Sequence, residues 1–205
     1  NRFNSYREAI DILNNKNLIY PCSCTRKDIN EALSAPQNNK IPKIYTGACR
    51  NRSMSEATKT DNIRINIDKS INYLKKLNHK SLVFVDDYYQ QNLIKIPFES
   101  QHLQEDIIVA RKEIGTSYHL SVVVDDAFQD ITHVVRGADL FSSTPIQRLL
   151  QELLELPQPL YHHHRLILDE DGKRLAKREA STALSILRES GVKPIELKRS
   201  LDLIN

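Results

Sequence analysis

Cysteine is scarce in this chain of 205 residues: three in all, Cys22 and Cys24 in YPCSCTRKDI and Cys49 in IYTGACRNR. An odd count with two members one residue apart excludes a self-contained disulfide framework. Long apolar runs are missing too. Nothing approaches the ~20 residues that span a bilayer, and the opening NRFNSYREAI does not read as a signal peptide. Neither G-x-G-x-x-G nor a Walker A loop occurs, so the commonest glycine-rich phosphate cradles are excluded, and there is no internal repeat. These absences point to a soluble cytoplasmic protein with no membrane partner. Its length suffices for one large domain, or a domain with a small appendage.

The net charge of +3 hides an asymmetry. Residues 1–60 carry ten Lys/Arg against five Asp/Glu, residues 61–159 ten against fourteen, and residues 160–205 nine against seven. The basic excess therefore sits around the cysteines, with a smaller one in the tail. Two such patches suit a nucleic-acid phosphate backbone, although a solvated face is the ordinary role of any single cluster.

The clustered thiols make a good metal clamp. A C-x-C turn can aim two thiolates at one point, and a later loop can supply a third. Zinc prefers four ligands, and the fourth is open between Tyr45, a carboxylate and water. The competing reading is three reduced cysteines packed as small apolar side chains. Their confinement to one polar, loop-like region argues for the metal.

Along the chain, Phe3, Tyr6, Ile10 and Leu13 recur at helical spacing. EALSAPQNNKIPK is a polar excursion between the cysteine loops. IRINI (63–67) and SLVFVDDYYQ (81–90) read as strands, with a turn before NLIKIPF. ESQHLQEDIIVARKEI is expected to be helical, YHLSVVVDDA fits either strand or helix, and ITHVVRG reads as a buried strand. SSTPIQRLLQELLEL has a hydroxyl cap, an early proline and a leucine pattern, which together predict a helix. RLILDEDGKRL suggests a strand and a tight Asp-Gly turn, and two short helices are expected near 182–190 and 195–203.

Three segments in order, YPCSCTRKDI…YTGACR, YHLSVVVDDAFQDITHVVRGADL and HRLILDEDGKRLAKR, resemble the catalytic core of class I glutamyl-tRNA synthetases. The likeness covers about residues 1–190 and is nearest to the short branch that glutamylates the queuosine base of tRNA(Asp). It implies an α/β fold: the C-terminal half of a class I Rossmann catalytic domain with a zinc-containing insertion. Residues 1–110 would form the zinc-binding and connective insertion, and 111–205 the second half of the Rossmann domain.

The resemblance also implies site residues. Cys22, Cys24, Tyr45 and Cys49 match the family's zinc quartet. Tyr118 and Arg136 match the pair that binds L-glutamate; a guanidinium fork suits a carboxylate, and the alternative is an ion pair with Asp125, Asp126 or Asp139. KRLAKR (173–178) stands in the place of the mobile basic loop whose second lysine contacts ATP. That lysine is Lys177, flanked by Lys173 and Arg174, with Ala176 where a serine is common. In YHHHRLIL, consecutive histidines on a strand face opposite ways, so they cannot readily share one ion. His163 matches a family histidine in the nucleotide site, which implies an ATP-contacting or packing role.

The family's first half-Rossmann, with an N-terminal arginine and an ATP-binding HIGH-type motif, has no counterpart within the 205 residues. The chain is thus expected to hold half an active site. The activity implied is glutamate activation by ATP (with Mg) and transfer to tRNA(Asp), by an enzyme monomeric when complete. The alternatives are a truncated glutamyl-tRNA synthetase charging tRNA(Glu), or a non-catalytic zinc module that binds tRNA.

Overall fold

The computed structural model describes residues 2–29, 45, 47–89, 92–168, 172 and 183–201. Helix α1 (Phe3–Asn15) follows the apolar spacing, but the buried face is Tyr6, Ala9 and Leu13, while Phe3 stays exposed and meets Tyr6 edge-on. Strand β1 (Ile19–Cys22) then runs antiparallel to β2 (Asn62–Ile65), with Cys22 opposite Asn62. The expected strand 63–67 stops at Ile65 because the Asn66 side chain caps α2 (Ile67–Lys76), accepting from the Lys69 amide at 2.9 Å. Lys75 and Lys76 in the last turn favour the C-terminal end of its dipole.

β3 (Ser81–Asp86) and β4 (Asn92–Pro97) form the expected antiparallel pair. Alternation turns Leu82, Phe84 and Asp86 inward. The segment expected to be helical after β4 is not. It makes a short 3-10 turn at Gln101–Leu103 and then β5 (Ile108–Ala110), the third strand of a β1-β2-β5 sheet. The cause is Asp106. Its fully buried carboxylate accepts from Tyr20 Oη at 2.6 Å, Arg50 Nε at 2.7 Å and the Ile67 amide at 2.9 Å. Those long-range bonds outweigh a local helical spacing.

Removing that hub should be costly. Asp106→Ala leaves a buried hydroxyl, a guanidinium edge and an amide without their acceptor, and a loss of about 3–5 kcal/mol is expected in urea unfolding. A variant within about 0.5 kcal/mol of the parent would contradict this role.

YHLSVVVDDA resolves as a helix. In α3 (Tyr118–Phe128) the Ser117 hydroxyl caps the first turn, and Leu120, Val123 and Val124 are buried on one side. β6 (His133–Gly137) is a strand as expected, yet Val135 is 67% exposed. It forms the edge of a β4-β3-β7-β6 sheet, in which β7 (Leu160–His164) runs parallel to β3. Between them α4 (Thr144–Leu154) is buried along almost its whole length, packed on α1, α2, α3 and β3.

The chain divides into two compact units. The larger comprises residues 1–136 and 140–163, and the expected boundary at 110 falls inside it, at the end of β5. The smaller comprises 137–139 and 164–205, with short helices α5 (Leu184–Glu189) and α6 (Pro194–Ser200) close to the two expected. Gly172, of the expected turn, has a left-handed φ of 74°. KRLAKR, including Lys173, Arg174, Ala176 and Lys177, lies outside the described residues. Among the described residues no helix is long and apolar enough to cross a membrane.

Candidate functional site

The structure brings Tyr118 and Arg136 together. Tyr118 is the first residue of α3, half exposed, and Arg136 lies near the end of β6. Arg136 Nη1 donates to Tyr118 Oη at 3.4 Å, Nη2 to Thr144 Oγ1 at 2.7 Å, and Nε to His163 Nε2 at 3.0 Å. A guanidinium has five N–H groups, so one remains on each terminal nitrogen. That pair suits two parallel hydrogen bonds to a carboxylate.

The expected competitor Asp125 is occupied elsewhere. It accepts from Arg2 Nε at 2.8 Å and from the Tyr6 hydroxyl at 2.8 Å. Asp126 feels the Arg136 charge without a hydrogen bond to it. Burial pushes the Asp126 carboxyl up, and Arg136 opposes that shift.

His163 is fully buried, packed among neighbouring side chains. Its ring stacks on Tyr161, with centroids 5.7 Å apart, and Phe84 and Phe141 meet it edge-on. His163 Nδ1 lies 2.6 Å from Asp86 Oδ2, and Nε2 faces Arg136 and the Thr144 hydroxyl, the latter at 3.0 Å. Because Arg136 can only donate, these contacts assign a neutral ring with its proton on Nδ1. His162 turns the other way, to Asp87 at 2.6 Å, and His164 is exposed, so the three histidines do not converge.

Burial pushes the His163 pKa below its ordinary 6.5; Asp86 opposes, while Arg136 and His162 add to the lowering. The unfolded ring therefore binds a proton at a pH where the folded ring does not. Its stabilising contribution is full above 6.5 and is lost as pH falls below that value. Urea unfolding from about pH 7.5 to about 5 should show falling stability, with a shallower fall in His163→Gln. An identical slope in the variant would contradict the assignment.

Cys22, Cys24 and Cys49 also meet. Their sulfur atoms all lie within 4.8 Å of one another, and none is in a disulfide. Cys22 ends β1, Cys24 follows two residues on, and Cys49 comes from the turn after Gly47, whose φ is 78°. Tyr45 closes the group: its hydroxyl is 3.4 Å from Cys22 Sγ, 3.9 Å from Cys24 Sγ and 3.0 Å from the Cys49 amide, from which it accepts. These residues can hold one metal ion. Burial pushes the Cys24 thiol up to about 11. It would also raise Cys49, but hydrogen bonds from Ser23, Cys24 and Tyr45 outweigh it and bring that thiol down to about 7.

Sequence reading missed the groups that surround these sites. Arg64, buried on β2, donates from Nε to Cys22 Sγ at 3.3 Å, and its guanidinium lies 3.8 Å over the Tyr45 ring. Asp86 and Thr144 were equally silent. The available signals were a carboxylate at an inward position of β3 and an arginine alternating with isoleucines in IRINI.

Residues 1–204 match the family described as tRNA synthetases class I (E and Q), catalytic domain. The chain is 39% identical over 213 residues to a glutamyl-Q tRNA(Asp) synthetase of Rhodobacter capsulatus, covering 97% of this chain and 72% of that one. It is 34% identical to the protein of the same name in Burkholderia cenocepacia, over 88% of this chain and 56% of the relative. The crystal structure of a glutamate-tRNA synthetase from Elizabethkingia anophelis superposes with a TM-score of 0.63 at 19% identity, over 87% of this chain and 36% of that one, a likeness of fold.

Proposed function

The chain belongs to the class I tRNA synthetases of the glutamate and glutamine group, and from that premise we propose that its protein activates L-glutamate with ATP and transfers it to the queuosine base of tRNA(Asp). The observation that carries the glutamate part is Arg136, which directs its hydrogen bonds to uncharged groups and keeps an N–H on each terminal nitrogen. Its place near the end of a strand in an open α/β sheet is where such sheets bind ligands. Tyr118 adds a phenol beside it. In activation a glutamate carboxylate oxygen bonds to the α-phosphorus of ATP and pyrophosphate leaves. Lys177, with Lys173 and Arg174, would stabilise the charge gathering on that leaving group, more in the transition state than before it.

The choice of tRNA(Asp) and its queuosine base is supported by the names of the Rhodobacter and Burkholderia relatives. The chain spans 72% of the first and 56% of the second, so the activity concerns the full-length protein. Glutamate-dependent exchange of pyrophosphate into ATP by that protein is the expected result. Exchange that is absent, or equal with aspartate, would overturn the glutamate reading.

We further propose zinc for the thiol cluster. Zn–S bonds of ~2.3 Å in a tetrahedron set sulfur atoms about 3.8 Å apart. The 3.5 Å between Cys24 and Cys49 and the 3.4 and 3.9 Å from Tyr45 Oη to Cys22 and Cys24 fit that scale. With Cys22, Cys24, Tyr45 and Cys49 as ligands, the metal would clamp the loops after β1. The Arg64 cation offsets the negative charge such a thiolate set gathers.

A further inference from the structure

Asp86, His163 and Thr144 form a buried polar cluster inside an apolar layer, and each has no more than a trace of exposed surface. Burying a carboxylate, an imidazole and a hydroxyl costs free energy unless every partner is supplied. Here the partners form one directed chain. Asp86 Oδ2 accepts a hydrogen bond from His163 Nδ1–H at 2.6 Å, and Oδ1 faces the His163 backbone amide at 3.4 Å. With that proton fixed, Nε2 is left as an acceptor for Arg136 Nε at 3.0 Å. The Thr144 hydroxyl accepts from Arg136 Nη2 at 2.7 Å and offers its own proton to the same Nε2 at 3.0 Å.

We propose that Asp86, acting through His163, and Thr144 are positioning residues that hold the Arg136 guanidinium oriented for a substrate carboxylate before the substrate arrives. This rests on the reading of Arg136 as the glutamate-binding group. The chemistry is directional. If the His163 proton moved to Nε2, two donors would face each other and Arg136 would lose the contact that fixes its Nε edge. The apolar rings of Phe84, Phe141 and Tyr161 leave the imidazole no room to rotate away. A long side chain held at two of its nitrogens loses less freedom when a ligand binds.

Three isosteric or near-isosteric variants test this in the full-length protein. Asp86→Asn removes the charge, and either amide orientation sets an N–H against His163 Nδ1–H or its backbone amide. Thr144→Val removes the hydroxyl at constant shape, and Thr144→Ser returns it. Pyrophosphate exchange should show the KM for glutamate raised about tenfold or more in Asp86→Asn and Thr144→Val, about 1.4 kcal/mol per tenfold. The KM for ATP should change little, and Thr144→Ser should recover most of the loss. In the parent, nitrogen-15 NMR of the imidazole should report a neutral ring protonated on Nδ1 at pH 7, shifted in Asp86→Asn.

An unchanged glutamate KM in both disruptive variants would overturn the proposal. So would a parent ring protonated on Nε2. A parent protein that activates no glutamate would instead count against the functional reading, and the NMR tautomer would still decide whether the positioning chain exists.

Discussion

Arg136→Ala in the full-length protein is expected to lower glutamate activation by roughly 30-fold to several thousand-fold while the fold survives. The range follows from about 2–5 kcal/mol for removing one member of a desolvated, hydrogen-bonded charge pair. The substrate carboxylate loses a bidentate partner, and within the protein His163 Nε2 and Thr144 Oγ1 lose their donor at once. Arg136→Lys should recover part of the loss, because an ammonium keeps the charge but cannot make the planar fork. Near-normal pyrophosphate exchange in Arg136→Ala would sink the assignment. Circular dichroism and urea unfolding separate that outcome from misfolding, since Arg136 sits near the end of an edge strand rather than in the core.

The second large effect is expected from the metal. Protein purified without chelator should carry one zinc per chain, and Cys49→Ser should lose most of it. A structural site contributes its binding free energy to folding, so several kcal/mol are at stake. At about 2–4 °C per kcal/mol for a chain of this size, strong chelation should lower Tm by about 10 °C or more. The disturbance should centre on Cys22, Cys24, Tyr45 and the turn around Cys49, and reach β2 through Arg64. Elemental analysis finding no zinc, with a melting curve indifferent to chelation, would contradict the site.

Much of the thiol cluster was legible because its signal is local. Cys22 and Cys24 are one residue apart on a strand end, and three cysteines in one stretch leave few other roles. Tyr45 was not legible from spacing, since a phenol among thiols has no pattern of its own. It came from the family likeness, and the hydroxyl 3.4 Å from Cys22 now supports it. The helices α1 and α4 followed their apolar period, and α4 its early proline, while Ser143 makes no side-chain cap hydrogen bond at the start of α4. The segment around Asp106 misled because its apolar spacing is helical, while its fate is set by Tyr20, Arg50 and Ile67, all at least 39 residues away.

Asp86 and His163 illustrate the same limit, being 77 residues apart in the chain and 2.6 Å apart in the fold. Alternation alone said that His163 faces away from its two neighbours, which the strand bears out. It could not say that Asp86 would be waiting there. Long-range polar pairs leave no periodic trace, and they are what shapes the surroundings of Arg136.

Transfer of radiolabelled glutamate by the full-length protein tests the choice of acceptor, with three compared at equal concentration: tRNA(Asp) carrying queuosine, tRNA(Asp) lacking it, and tRNA(Glu). Label should accumulate on queuosine-containing tRNA(Asp) and stay near background on the other two. Equal labelling of tRNA(Asp) with and without queuosine, or preferential charging of tRNA(Glu), would contradict it.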